Sequence, residues 1–226
     1  MTVRLISYSK PPEELYVGND LQELIAYAAR VSNPSNQDNT ETSEKLLRYL
    51  IREKHWSPFE MVSACLEVTT TRDIARQLLR HRSFSFQEFS QRYADPTQDL
   101  KFKLRDARLQ DTKNRQNSLE LSDMMDSDQR VNLQLDWLQN QAEVVNAAKK
   151  SYQWAIDNGI AKEQARSVLP EGIMESRLYV NGTIRSWIHY IGLRSGHGTQ
   201  KEHIELALEC AKALEPIFPM IQEFCN

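Results

Sequence analysis

The run that most constrains this chain is Arg80-His81-Arg82-Ser83-Phe84-Ser85-Phe86-Gln87-Glu88-Phe89-Ser90-Gln91-Arg92-Tyr93. Three adjacent cationic or titratable side chains precede Ser, Gln, Glu, Ser and Arg at close spacing. Burying such a run unpaired is costly, and its order is too regular for a random solvated surface. It offers forked donors for phosphate, with a carboxylate and hydroxyls to orient a polar ring. That combination points to recognition of a nucleotide-like anion.

The flanking pattern predicts the scaffold. Residues 2–8 alternate like a strand. Asp20 is placed to cap a helix whose Leu21, Leu24, Ile25 and Ala28 share a face. A polar loop, 32–41, leads to a second helix over 42–54, with Leu46, Leu47, Leu50 and Ile51 spaced for burial. Residues 61–71 are β-branched and short, which favours a strand. Residues 72–82 return to helical spacing, with Ile74, Ala75 and Leu78 as the inner stripe. Leu100, Phe102 and Leu104 alternate, so 99–109 is expected as a strand, and 110–128 as an exposed excursion. A long helix over 129–158 should end at Asn158-Gly159, where glycine supplies a left-handed cap. A short helix at 161–168, a strand at 173–181 and a helix at 183–194 follow. Thr199 and Glu202 have capping-box spacing for the last helix, which stops near Leu214 before Pro216. Strands do not alternate strictly with helices, so the expected class is α+β, a central mainly antiparallel sheet flanked by helices. No linker divides residues 1–226, and one domain is expected.

Composition removes several function classes. The formal net charge of −3 gives no global cationic field for nucleic acid or membranes. Positive charge is local: Arg72, Arg76, Arg80, Arg82 and Arg92 face only Asp73 and Glu88 within 72–92. The three cysteines, Cys65, Cys210 and Cys225, form no CxxC pair, which fits a reduced, cytoplasmic setting. The N-terminus lacks the apolar core of a signal peptide, and no apolar run is long enough to span a bilayer. His189, His197 and His203 lack zinc spacing and no HExxH occurs, so no metal is expected. Phosphate-loop glycine motifs and a GxSxG elbow are missing. No cysteine has a neighbour that would mark it as a nucleophile.

Several constellations could carry chemistry. Arg72, Arg76 and Arg80 at i, i+4 and i+8 would line one helix face, bordered by Gln77. Like charges stacked this way call for an anion, or for carboxylates such as Asp73 and Glu67. Glu88, Ser90 and Arg92 offer acceptor, donor and cation together; alone, they read equally as an ion pair in a turn. His55, Ser57 and Glu60 cluster around Pro58, and a histidine there can donate to a phosphate or simply be structural. Arg166, Arg185 and Arg194 would each be ordinary surface arginines if isolated.

They are not isolated. RHRSFSFQEFSQRY resembles the signature of flavin-dependent thymidylate synthases. Further segments agree in order: Ala29-Arg30-Val31-Ser32; His55-Trp56-Ser57-Pro58-Phe59-Glu60; Ala165-Arg166-Ser167-Val168-Leu169-Pro170; Thr183-Ile184-Arg185 through Arg194; and Gln200-Lys201-Glu202. The resemblance implies an α+β homotetramer with active sites at subunit interfaces. It implies FAD, reduced by NADPH, and reductive methylation of dUMP to dTMP with methylenetetrahydrofolate as carbon donor.

Carried over by position, the resemblance implies that Arg80, His81 and Arg82 hold FAD, with Glu88 reaching both flavin and nucleotide. Ser32, His55 and Ser57 would border FAD, and His55 would also help position folate and flavin. Thr183, Ile184, Arg185 and His189 would bind FAD. Gln77, Arg80, Ser90, Gln91 and Arg92 would hold the nucleotide, with Arg166 arriving from another subunit. Arg194 would polarise the uracil ring as negative charge builds on it. Classical thymidylate synthases attack that ring with a thiol; the lack of an activated cysteine agrees with the flavin route.

Two rivals make different predictions. Arginines interleaved with Phe84, Phe86, Phe89 and Tyr93 could form a single-stranded nucleic-acid-binding module, against which stand the net charge and Glu88. Alternatively the arginines could pair across the interfaces of a purely structural oligomer.

Overall fold

A computed structural model describes residues 1–13 and 20–226. Its strands are β1 (Thr2–Tyr8), β2 (Ser63–Thr71), β3 (Ser85–Glu88), β4 (Arg108–Gln110), β5 (Ser118–Glu120) and β6 (Glu175–Thr183). Four of them form an antiparallel sheet in the order β1-β2-β6-β3; β4 and β5 make a separate hairpin. The spine is β2 against β6, in register from Ser63↔Thr183 to Thr71↔Glu175.

Sidedness follows from alternation. On β2, Ala64, Leu66, Val68 and Thr70 are buried while Ser63, Cys65, Glu67 and Thr69 are partly exposed. On β6, Ser176, Leu178, Val180 and Gly182 point inward, and Arg177, Tyr179 and Asn181 outward. Helices α1 (Leu21–Ala29) and α2 (Ser43–Arg52) share the core that the inner face belongs to, and α3 (Arg72–Leu78) packs directly on β2 and β6. After the single turn α4 (Pro96–Asp99) and the long helix α5 (Ser127–Asp157) come α6 (Lys162–Ala165), α7 (Ile184–Arg194) and α8 (Lys201–Leu214). Trp187, Ile191, Leu206 and Cys210 from α7 and α8 complete the same core. Each fully buried Leu, Ile or Val contributes about 1.5–3 kcal/mol, so the sheet and these helices stand or fall together.

Most expected elements are present. Asp20 caps α1, accepting from the Glu23 amide at 2.8 Å. The long helix ends at Gly159, φ +75°, with Asp126 as its N-cap. A smaller second core joins Tyr152 and Ala155 of α5 to Ala165 and Leu169, with Phe102 packed against it.

Four expectations are corrected. Residues 99–109 are not a strand of the sheet. Phe102 bridges only Met174, because its ring packs against the α5 core, and Arg108–Gln110 turns away to pair with Ser118–Glu120. The helix of 72–82 stops at Leu78, because the chain must reverse to enter β3; Arg80 therefore lies beyond it, and the three-arginine face does not exist. Arg72 turns to Glu88 and Arg76 to Glu171 instead, while Arg105 takes Asp73. Thr199 does not cap α8: Gln200 occupies that position, and its side chain is engaged elsewhere. On α1, Ala26 rather than Ala28 joins Leu21 and Ile25 in the core.

Candidate active site

The chain runs from β2 into α3 and from β6 into α7 without an intervening residue. This fixes both helices on the inner face of the sheet and brings the end of α3 against α7. There Arg194 donates from Nε to His81 Nε2 at 2.9 Å. A guanidinium can only donate, so His81 must accept and, when neutral, carries its proton on Nδ1. Burial, then the charges of Arg194 and Arg80, lower the His81 pKa to about 4. The Tyr190 ring stands edge-on to His81 at 5.0 Å, its hydroxyl buried and unpartnered. His203 from α8 lies behind, wholly buried, its pKa lowered to about 3 by burial, Arg194 and His81. His203 Nδ1 is 3.2 Å from Gln77 Oε1, and Gln77 Nε2 donates to Gln200 Oε1 at 2.9 Å.

After His81 the backbone is anchored by Phe84, whose ring packs on Trp187 at 4.5 Å and over Gly182. A Cβ at Gly182 would lie 2.2 Å from the Phe84 ring, so only glycine lets β6 and this segment approach so closely. Ser186 Oγ donates to the Ser83 carbonyl at 3.2 Å. Held this way, Arg80 and Arg82 are exposed and have no carboxylate partner among the described residues. Phe84 is buried and Phe86 and Phe89 are half-buried, which takes Phe84 out of the stacking platform that the nucleic-acid reading needs and leaves only Tyr93 fully exposed.

At the other end of β3, Glu88 accepts from Ser176 Oγ at 2.7 Å and from Arg72 at 3.3 Å. Gln91 is buried with Nε2 unpartnered. Arg92 pairs with Glu163 at 3.1 Å, and Arg166 donates to the Glu163 carbonyl at 3.3 Å. Ser90, Arg92, Tyr93, Lys162 and Glu163 line a cavity of about 430 Å³.

A third group surrounds the start of α7. Lys54 adopts φ +58° and turns the chain out of α2 to His55, which stacks edge-on to Tyr49. Trp56 meets His189 at 4.6 Å, and Glu60 binds Arg185 at 2.6 Å. Burial and then Arg185 lower the His189 pKa. Thr183 spends its hydroxyl capping α7 through the Ser186 amide. Ile184 is wholly buried and its amide bonds the Val62 carbonyl, so its side chain serves the core. Ser32 lies apart, beside Arg30 and Tyr49, on a cavity of about 560 Å³.

Within one chain the expected residues therefore fall into separate groups. Arg194 meets His81, and Arg92 meets Arg166 through Glu163, yet among the described residues no hydrogen bond or ion pair joins these two pairs. Ser57 is exposed in the turn Ser57–Glu60. Sequence reasoning missed the buried network behind Arg194: Tyr190, Gln200 and His203, and Glu202 with its partner Arg108. Gln200 and Glu202 stand out only as part of a family segment and an expected cap; no local spacing advertises the network itself, because its members converge from α7, α8 and β4. Among the described residues no three His, Cys, Asp or Glu gather as metal ligands. None of the described helices is long and apolar enough to cross a membrane.

The family model for thymidylate synthase complementing protein matches residues 14–220. The chain belongs to the flavin-dependent thymidylate synthase family. It is 50% identical over 224 residues to the flavin-dependent thymidylate synthase of Synechocystis sp., covering 98% of this chain and 97% of the relative. It is 49% identical over 221 residues to a probable flavin-dependent thymidylate synthase of Paramecium bursaria Chlorella virus 1, with the same coverages. Among solved structures it is similar to the UMP/dUMP methylase PolB from Streptomyces cacaoi bound with 5-Br dUMP. That match has a TM-score of 0.76 and 27% identity, and covers 99% of this chain and 93% of PolB. Membership makes the chain a flavoenzyme of the methyltransferase class and establishes the α+β antiparallel fold expected from its pattern.

The donor set also fits the cofactor that the family name implies. Among the described residues Arg80 and Arg82 carry charge without a counter-ion, which suits a dinucleotide's diphosphate.

Proposed function

We propose that this enzyme methylates dUMP to dTMP, taking its carbon from methylenetetrahydrofolate and its reducing power from NADPH through FAD. The observation that carries this reading is the state of Arg194. Its side-chain partner is a neutral imidazole, and no carboxylate among the described residues neutralises it. A fixed, uncompensated guanidinium is what a uracil ring needs as negative charge develops on its oxygens and nitrogen.

In this reading Arg80, His81, Arg82, Arg185, His189, His55, Ser57 and Ser32 hold FAD, with Glu88 reaching both flavin and nucleotide. FAD, when bound, supplies the hydride chemistry. Gln77 and Arg80 bind the nucleotide beside Arg194, and Ser90, Gln91 and Arg92 reach it together with Arg166 from a neighbouring subunit of a homotetramer. The separation of the Arg194 and Arg92 groups supports a shared site, since one chain alone does not gather them. Ser90 binds rather than attacks, because its hydroxyl has no hydrogen bond to a base among the described residues. Cys210 is buried and its thiol pushed up by that burial, so it is no nucleophile. The three free cysteines support a cytoplasmic setting.

The decisive experiment is an absorbance spectrum of the purified, FAD-saturated protein with and without dUMP, followed by methylation assays with NADPH and methylenetetrahydrofolate. Bound flavin, perturbed by dUMP, and dTMP formation are expected. Failure to bind flavin would overturn the proposal.

A further inference from the structure

The side chains behind Gln77 form a chain of hydrogen bonds whose direction is set at one end. Arg108 donates to Glu202 Oε1, and Gln200 Nε2 donates to Glu202 Oε2 at 2.9 Å. The pKa of Glu202 is lowered: the hydrogen bonds from Arg108 and others outweigh its desolvation. An ionised carboxylate only accepts. Gln200 must therefore point its amide nitrogen at Glu202 and its oxygen at Gln77. Gln77 must answer with its nitrogen, at 2.9 Å, which leaves its oxygen facing His203 Nδ1 at 3.2 Å. His203 must then carry its proton on Nδ1, and its buried Nε2 is bare.

We propose that Glu202 is a positioning residue which, through Gln200, locks the Gln77 amide so that an N–H, not a carbonyl, faces the nucleotide pocket. The inference rests on the nucleotide reading of Gln77. The second N–H of Gln77 has no partner among the described residues, and a pyrimidine carbonyl is the chemical class it suits. Without the carboxylate, every amide could flip, and the relay could run equally well in either direction. A Gln77 that presents its oxygen would repel that same carbonyl.

The tautomer of His203 reports the direction of the relay before any substrate is added. Each tautomer gives a distinct ring-carbon resonance, and the chain has five histidines to resolve. In FAD-saturated protein with ring-13C histidine, assigned by the loss of one signal in His203→Asn, the Nδ1–H form is expected. Glu202→Gln should move it toward the Nε2–H form and raise the KM for dUMP about tenfold, with kcat within about twofold. Loss of one hydrogen bond made equally in ground and transition states has that signature. Gln200→Met interrupts the relay without touching the Arg108–Glu202 pair and should give the same KM shift, so a misfolded Glu202→Gln would not shelter the idea. An Nε2–H form in the unsubstituted protein would overturn the proposal. So would an unchanged tautomer and KM in both variants, or a tautomer shift with no change in KM. A protein that forms no dTMP at all would instead defeat the nucleotide reading, and the ring carbons would still decide the polarity.

Discussion

Arg194 and His81 are joined by a single hydrogen bond, Nε to Nε2 at 2.9 Å, in which the imidazole is the acceptor. The bond aims the guanidinium without cancelling its charge. Arg194→Ala should therefore lower kcat for dUMP methylation about 100-fold or more, the scale of removing a transition-state donor. Steady-state kinetics alongside circular dichroism would check this. A folded variant with near-normal turnover would favour a purely structural role for the arginine.

Stability should depend on pH through the half-buried His81 ring and the buried His203 ring. His81 and His203 have pKa values near 4 and 3 when folded, against about 6.5 unfolded. Between those values the unfolded chain binds more protons, so stability is complete above about pH 6.5 and falls as pH drops toward 4 and then 3. Urea midpoints from pH 7.5 to 4.5 should fall, and His203→Asn should flatten part of that slope. Equal slopes in both proteins would assign the loss to carboxylates instead.

Gly182→Ala should act at a distance. The new Cβ would collide with the Phe84 ring, and an overpacked core costs about 1–3 kcal/mol. Because Phe84 anchors the residues that follow His81, the variant should also weaken FAD binding. Thermal unfolding and flavin fluorescence titration would measure the two effects on one sample.

Arg185→Ala should do the opposite. Its pair with Glu60 is exposed, and exposed pairs contribute about 0–1 kcal/mol. Melting should barely move, while FAD affinity falls about tenfold if the guanidinium holds the cofactor. An unchanged affinity would remove Arg185 from the cofactor set.

If the nucleotide site draws Arg166 from one subunit and Arg194 from another, two inactive variants should rescue each other. After Arg166→Ala and Arg194→Ala chains are unfolded together and reassembled, about one site in four would recover both arginines by random assortment. No recovered activity, despite mixed oligomers by native mass spectrometry, would place both groups on the same chain.

The sheet was legible because β2 and β6 each bury one face, and alternation reports that directly. The α5 terminus was legible because Gly159 must adopt positive φ. Leu100, Phe102 and Leu104 misled because the same alternation suits an extended segment whose ring packs on a helix. The arginine face misled because spacing cannot reveal that α3 ends at Leu78 to let the chain reverse. The motif residues were readable in order, yet their grouping was not: Arg92 reaches Glu163 and Arg194 reaches His81 only through the tertiary fold. Tyr190 and His203 carried no local signal for this network, since full burial is a property of packing.

Two seams, Thr71 to Arg72 and Thr183 to Ile184, pass from strand to helix with no slack. One inserted residue at either would rotate the helix beyond it by about 100°, swinging Gln77 or Arg194 away from its neighbours. Tags, splice points and permuted termini therefore belong in the exposed turn between Asp111 and Asn117, where the chain can lengthen without re-aiming any of these side chains.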